Sequence, residues 1–447
     1  MAATSHIEKI RAAGIVGAGG AGFPTHVKLG AQAQVIIANG AECEPLLRVD
    51  QQIMEHYAAQ VVKGVDIAME LAGAKRGVIC LKEKYKQAVK SLKKVISDTK
   101  KDISLLTVSN YYPAGDEQAL VYEVTGEVVP VGGIPIAKGA VVLNVNTLVN
   151  VAEAMDDNPV THKYVTITGE VSKPVTVLAP IGTSVRKLVE YADGPANEEE
   201  YALLLGGPAM GAVTSDWDTP VTKTLGGIIV LKKDHGLITK KTSPLQSQIK
   251  LSRAACCGCN QCTLMCPRNT LGQQTSPHKA MRAIAFGSGD GMVPEQVISC
   301  CECGICSYFA CTMELLPSRI MGMLKSELLK KKVPFENKES IGVSAERTVK
   351  NLPVSRLVSR LGIRAYDVPA PMEREPIKTE RVKIPLKQHI GAPCTPCVKK
   401  GQSVKPGDII GNIPEGQLGA NVHASISGVV AAVDNGFVEI QAVGGNA

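Results

Sequence analysis

Two short cysteine runs, about forty residues apart, constrain this chain more than any other feature. The first is Cys256-x2-Cys259-x2-Cys262-x3-Cys266-Pro267, and the second is Cys300-x2-Cys303-x2-Cys306-x4-Cys311. Three thiolates at such gaps wrap three corners of an iron–sulfur cube, and a fourth Cys serves a corner of the other cube. Structural zinc takes two ligand pairs separated by a longer loop, so a third Cys three residues on suits it poorly. Disulfides suit such tight spacing no better. Two [4Fe–4S] clusters are expected, one on Cys256, Cys259, Cys262 and Cys311, the other on Cys266, Cys300, Cys303 and Cys306. Cys311 fits least well, because its gap is one residue longer and Thr312 stands where Pro is usual. Cys257 and Cys301 break the rhythm and are read as non-ligands. Clusters of this kind carry electrons one at a time, so electron transfer is the expected work.

Ten of the fourteen cysteines lie between 256 and 311. With no signal peptide in view, that clustering argues for a reducing, cytoplasmic compartment. The 447 residues allow several domains, and with aromatics at only 4% their cores must be built from Val, Ile, Leu and Ala. No segment approaches the roughly 20 apolar residues that span a bilayer. The net charge of +7 is scattered, and the run Lys330–Lys332 has no interleaved aromatics, so a nucleic-acid partner is not expected. Thr4–Ala13 reads as a short helix, with Ile7 and Ile10 on the face that docks on its own domain.

The N-terminal third carries Gly17-Ala-Gly19-Gly20-Ala-Gly22-Phe-Pro24-Thr25, a literal G-x-G-x-x-G. A dinucleotide fingerprint needs a strand before the loop and an uninterrupted helix through it. Here the preceding residues look helical, and Pro24 fits only a helix's first turn. The loop still lets backbone N–H groups approach a phosphate or a ring closely. After it come a strand at 35–38 ending in Asn39-Gly-Ala-Glu42-Cys43-Glu44-Pro45, a helix over 51–72, a strand at 77–81 and a helix over 85–97. Two further segments follow, Tyr112-Pro-Ala-Gly115-Asp116-Glu117 and Asn144-Val-Asn-Thr147. Strands alternating with helices indicate an α/β sheet, and polar residues at strand carboxyl ends are where such sheets hold ligands.

These segments together resemble the flavin domain of the NADH-binding 51-kDa subunit of complex I and of the Rnf complex C subunit. The resemblance implies FMN held by Gly17, Gly19, Gly20, Gly22, Lys28, Asn39, Gly115, Asp116, Asn144 and Thr147, with NADH as cosubstrate. Glu42, Glu44, Tyr112 and Glu117 would line the flavin and nicotinamide pocket as the catalytic set. Ala18 and Ala41 stand where the complex I proteins have Arg and Asp, which removes two polar contacts.

Residues 163–232 resemble the soluble-ligand-binding β-grasp module that follows the flavin domain in the same family, read here as a spacer. Proline-rich 346–380 reads as a linker. Residues 384–440 resemble the barrel-sandwich module of biotinyl and lipoyl carriers. Where a carrier presents its lysine, this chain has Ala424-Ser425-Ile426-Ser427-Gly428, so no attached group is expected. Cys394-Thr-Pro-Cys397 reads as bystander thiols. The expectation is a multidomain α/β protein. It comprises a Rossmann-like flavin domain (1–160), a β-grasp module (161–235), a helical, ferredoxin-like two-[4Fe–4S] domain (236–345), the linker and a barrel-sandwich β domain (381–447). Nearly the whole chain resembles the cobalamin reductases of propanediol-utilization microcompartments. That implies electrons from NADH through FMN and the clusters to a corrinoid, with a corrinoid-handling enzyme such as an adenosyltransferase, a microcompartment shell protein or an electron carrier as partner. The rivals are an electron-transfer module feeding a partner protein and a scaffold with structural clusters.

Overall fold

The computed structural model describes residues 2–286, 295–332 and 339–443. Four parallel strands, Val35–Gly40, Arg76–Lys82, Ile103–Val108 and Ala140–Asn144, form the N-terminal sheet. Their runs are apolar almost throughout because the sheet is covered on both faces. Alternation of the pleat divides them: Ile36, Ala38, Ile79 and Leu81 pack into one cluster, Val35, Ile37, Val78 and Cys80 into another. From strand 35–40 the chain winds outward through 76–82 to 103–108, then returns to the other side of 35–40 with 140–144. The reversal opens a crevice between the carboxyl ends of 35–40 and 140–144, where Asn39 pairs with Asn144.

The helix expected over 51–72 is two helices, Val49–His56 and Ala58–Ala72. Tyr57 breaks it at φ −122°, ψ 33°, with its hydroxyl 2.6 Å from that of Tyr164. A contact to another strand thus overrides local helix propensity.

The second sheet is mixed. Its order is Met372–Pro376, Val175–Pro180, His162–Gly169, Gly227–Lys232, Tyr201–Leu205 and Ala212–Thr214. The first of these strands comes from the stretch expected to be a linker, which is instead built into the fold. Within it, Leu352–Pro353 pairs antiparallel with Tyr111–Tyr112, and a helix runs from Val354 to Arg360. Leu352, Leu357 and Ile363 bury themselves with Tyr112 and Leu204, and prolines 353 and 376 border elements rather than free chain.

The cysteine runs lie among helices Leu245–Ala255, Pro277–Phe286 and Pro317–Lys330, packed around Ala280, Met281, Ile320 and Met321. No helix of the described residues is long and apolar enough to cross a membrane. Two small antiparallel sheets close the C-terminal module. Its core residues Val382, Ile384, Ile410, Val430 and Ile440 are continuous with Ile10, Ile15 and Ile181. Ile390 N–H donates to the Gly22 carbonyl at 3.3 Å, so the module rests on the glycine loop. Ser425, at the tip where a carrier presents its lysine, is buried and donates to the Ile181 carbonyl at 2.6 Å. Intact-mass analysis of protein from its native host is expected to show no biotin or lipoate adduct. An adduct mapped to residues 384–440 would require this tip to leave its pocket and would overturn the assignment.

Candidate functional site

The glycine loop closes on itself. Gly17 N–H donates to the Phe23 carbonyl at 3.0 Å, and Val16 bridges Pro24. Ala18 N–H donates to Thr147 Oγ1 at 2.9 Å, which ties the loop to the first turn of helix Val145–Ala154. Gly19 sits so close to Asn144 that a Cβ there would come within 2.7 Å of its Nδ2. Gly19, Gly20 and Ala21 are exposed, and their N–H groups have no acceptor among the described residues. Open N–H groups on a glycine turn are a cradle for phosphate. Lys28, on the short helix Thr25–Leu29, stands 3.9 Å from Glu117 Oε2.

Asn39 and Asn144 are committed to the protein. Asn39 Nδ2 donates to the Gly115 carbonyl at 2.9 Å, while its Oδ1 accepts from Ala41 N–H. Asn144 Nδ2 donates to Asp50 at 2.8 Å, and its Oδ1 caps the helix by accepting from Asn146 N–H. Gly115 N–H donates to Cys43 Sγ at 2.8 Å, and a Cβ on Gly115 would come 2.3 Å from the Ala41 carbonyl. These residues hold the crevice walls together and leave the loop's backbone to meet a ligand.

Charged groups gather behind the loop. Lys163, from the second sheet, is buried and donates to the Ala18 carbonyl at 3.0 Å. Burial brings its ammonium down to about 8, against the pull of Asp50 and Glu42. Burial pushes Glu42 up to about 8, with the Asp50 charge adding to it, and pushes Asp50 to about 6. Burial also lowers Lys82, which faces Cys43, Glu42 and Glu44. Lys163, Asp50 and Lys82 were not singled out from sequence. They arrive from separate elements, and a lone buried Lys or Asp carries no local signal.

The other expected pocket residues reach the cysteine segment. Glu44 Oε2 accepts from Ala209 N–H at 2.8 Å and Oε1 from Met210 N–H at 2.9 Å. The Tyr112 hydroxyl donates to the Cys303 carbonyl at 2.7 Å and lies 3.3 Å from Glu44. Asp116 caps helix Glu117–Thr125 through Oδ1, and its Oδ2 accepts two bonds from Arg268 at 2.8 and 3.0 Å. Arg268 lies two residues past Cys266, so one buried ion pair joins the crevice to the first cysteine run. Gly132 N–H donates to Ser299 Oγ, next to Cys300, at 2.9 Å.

The two cysteine runs share a backbone pattern. Gly258 and Asn260 in the first, Glu302 and Gly304 in the second, all have φ between 58° and 78°. The same two positions are left-handed in each run, which curls both loops inward. Cys266 precedes Pro267 at the start of helix Pro267–Thr270. Cys306 opens a π-helical turn, Cys306–Ala310, that ends at Cys311. This wider turn absorbs the extra residue of the x4 gap. The Cys262 thiol is pushed up to about 12, by burial first and then by the neighbouring Cys311, Cys256 and Cys259. Cys306, also driven up by burial, has Cys300, Cys266 and Cys262 as neighbours. All fourteen cysteines are free thiols. Among the described residues no three ligating side chains meet as a single metal ion would require. A cube gives each thiolate its own iron and has no such need. Cys266, Cys303 and Cys306 are at most 8% exposed, whereas Cys259 is open to solvent.

Family comparisons agree with this arrangement. Residues 10–153 match the Nuo51 FMN-binding domain, 164–213 the SLBB domain, 255–316 the 4Fe-4S dicluster domain and 364–443 the RnfC barrel sandwich hybrid domain. Cobalamin reductase PduS of Salmonella typhimurium is 40% identical over 97% of this chain and 95% of its own length. The chain belongs to the PduS cobalamin reductase family. The Citrobacter freundii cobalamin reductase PduS is 39% identical over 95% of this chain and 94% of its own. The C component of the proton-translocating ferredoxin:NAD(+) oxidoreductase complex of Clostridium ljungdahlii is 34% identical over 58% of this chain and 54% of its own. The reductase is therefore a multidomain α/β protein with FMN and 4Fe–4S cofactors, and the donors on its glycine loop and in its cysteine loops suit both.

Two expectations follow for the crevice. A Cβ on Gly20 would meet no atom within 4 Å, so Gly20→Val should fold normally and keep its iron. It should lose most of its FMN, because the branched side chain would fill the space above the cradle. Flavin content equal to the parent's would refute the loop assignment. Glu42 should be neutral at pH 7 and charged above about pH 8. The folded protein then holds a proton that the unfolded chain releases near 4.5, so Glu42 weakens folding progressively as pH rises from 4.5 to about 8. Infrared difference spectra should show a protonated-carboxyl band at pH 7 that vanishes in Glu42→Gln and titrates lower in Asp50→Asn. A Glu42 carboxylate already ionised at pH 6 would contradict this.

Proposed function

We propose that the chain is an NADH-dependent flavin and iron–sulfur reductase acting on a corrinoid, taking cob(III)alamin through cob(II)alamin to cob(I)alamin to reactivate a B12 cofactor. The observation that carries the reading is the direct contact between flavin-crevice residues and a cysteine loop: Tyr112 on the Cys303 carbonyl, and Asp116 on Arg268. When bound, FMN accepts hydride from NADH and the clusters carry its electrons singly toward the corrinoid. The chain's part is to bind, orient and hold protons. Gly19, Gly20 and Lys28 serve the flavin phosphate, and Gly17 and Gly22 close the loop that presents them. Asn39, Gly115, Asp116, Asn144 and Thr147 fix the crevice walls. Glu42, Glu44, Tyr112 and Glu117 shape the nicotinamide side, with Glu42 the carboxyl that holds a proton near neutral pH.

Cys266, Cys300, Cys303 and Cys306 stand on the flavin side, and Cys256, Cys259, Cys262 and Cys311 on the more open side. Electrons that enter at the buried set and leave by the open one would follow that gradient of exposure. In this reading residues 1–160 are a Rossmann-like flavin domain, 161–235 a β-grasp module, 236–345 a ferredoxin-like cluster domain and 381–447 the barrel. The protein would work in the cytoplasm or within a microcompartment shell. It would pass reduced corrinoid to a handling enzyme such as an adenosyltransferase.

Anaerobic NADH titration, then addition of cob(III)alamin, tests the reading by visible absorbance. About eight iron per chain are expected from two cubes. Cys259→Ser should lose about half of that iron, still bleach its flavin with NADH, and reduce cobalamin far more slowly. Cys257→Ser should match the parent in iron and rate. Cobalamin reduction at the parent rate in Cys259→Ser would rule out the open thiol set as the donor to the corrinoid.

A further inference from the structure

A shallow hollow of about 500 Å³, wide open to solvent, lies beside the cysteine segment, lined by half-buried Phe309 and by the exposed Ser355, Arg356, Ser359, Arg360 and Arg364. Three guanidinium groups come from helix Val354–Arg360 and the 3-10 turn Arg364–Tyr366 after it. Phe309 belongs to the π-helical turn between Cys306 and Cys311. The helix is packed there through Leu357 and Val358, which share a core with Ile305 and Tyr308. Arg360 stands 3.6 Å from Glu314, three residues past Cys311, and Lys240 holds the same carboxylate group at 3.2 Å. One acid thus faces two cations. Arg356 and Arg364 pair with no acid among the described residues.

Arginine forks left open in a concavity recognise phosphate or carboxylate, because the planar guanidinium matches two oxygens at once. The hollow's volume falls in the range of small-molecule sites, about 300–1,000 Å³, but it is open on one side, so it would hold one end of a ligand and leave the rest in solvent. A protein partner would cover a broader face, on the order of 800 Å² per side. Phe309 adds an apolar surface for a ring. A cobalamin molecule combines these features: its peripheral amides are neutral, and its nucleotide tail joins a phosphodiester anion to an aromatic base.

We propose that this arginine-lined hollow binds the phosphodiester of the corrinoid's nucleotide tail and seats the acceptor next to the Cys311 thiol set. The proposal rests on the corrinoid reading above. It assigns Arg356, Arg360 and Arg364 to substrate selection, apart from the flavin crevice.

The test compares cob(III)alamin with cobinamide, which lacks the phosphodiester and base. Equilibrium dialysis is done on the FMN- and iron-loaded full chain without NADH. R356A/R364A should weaken cobalamin binding at least tenfold, about 1.4 kcal/mol, and leave cobinamide binding unchanged. FMN content, iron content and NADH bleaching of the flavin should equal the parent's, which separates the effect from misfolding. Equal cobalamin affinity in variant and parent, equal weakening of both corrinoids, or no measurable binding by the parent would each overturn the proposal. So would an unchanged cobalamin affinity with a lowered, salt-sensitive rate toward an acidic carrier protein, which would make the arginines a protein-docking patch. A parent that bleaches with NADH yet leaves cob(III)alamin oxidised would instead sink the corrinoid reading, whatever the dialysis shows.

Discussion

The buried ion pair of Asp116 with Arg268 is the contact on which the arrangement of cofactor sites depends. Both side chains are under 10% exposed, and both nitrogen-to-oxygen bonds run to one carboxylate oxygen. The other oxygen of Asp116 caps a helix, so the carboxylate is fixed from both sides. Removing either partner of such a pair leaves a buried charge uncompensated, at about 3–5 kcal/mol. Arg268 lies two residues after Cys266, and its Nη1 also donates to Gln273 Oε1. Gln273 in turn donates to the Gln118 side chain and the Val129 carbonyl. The first cysteine run is thereby pinned to the N-terminal sheet's domain at several points. An electron relay needs that rigidity, because transfer between two centres depends on a fixed separation.

Glu42 and Glu44 show how one segment supplies two carboxylates with different work. They are two residues apart on the chain that leaves strand 35–40. Glu44 is ringed by donors, Ala209 N–H, Met210 N–H and the Tyr112 hydroxyl, and it joins three parts of the molecule. Glu42 has no such ring. Its neighbours are Asp50 and Lys82, and burial beside a second acid holds its proton at neutral pH. Environment, not residue type, separates an anchoring acid from a proton-holding one.

The cysteine runs, the glycine loop and the parallel strands were legible because each is a local pattern. Apolar runs reported strands buried on both faces, and thiol spacing reported the chemistry of the ligand loops. What escaped came from elsewhere in the chain. Lys163 reaches Ala18 from 145 residues away, and Arg268 reaches Asp116 across 152. Tyr57 stops a helix for a partner in another sheet. Residues 352–376 looked like linker because prolines punctuate them, yet Leu352, Leu357 and Ile363 are core residues. The x4 gap before Cys311 is spanned by a π-helical turn that residue spacing alone does not announce.

The C-terminal module shows why chain order and spatial order can part company. The matched family model is the barrel of the RnfC protein, and here it comes last in sequence. In space it lies beside the first segment. Lys223 Nζ donates both to the Gly14 carbonyl at 2.6 Å and to the Asn421 carbonyl at 2.7 Å. A Cβ on Gly14 would come within 2.3 Å of that same Asn421 oxygen. The chain therefore leaves and re-enters this region near one point, with the glycine loop between. A module tethered at either end could reach the same seat against Gly22, since the linkage sets only how it arrives. What the seat requires is the apolar face of Val382, Ile384 and Ile440 and the backbone of Ile390, not a position in the sequence. A barrel that buries its tip serine and braces the flavin loop has become part of the crevice wall, and so has given up the mobility that a carrier arm needs.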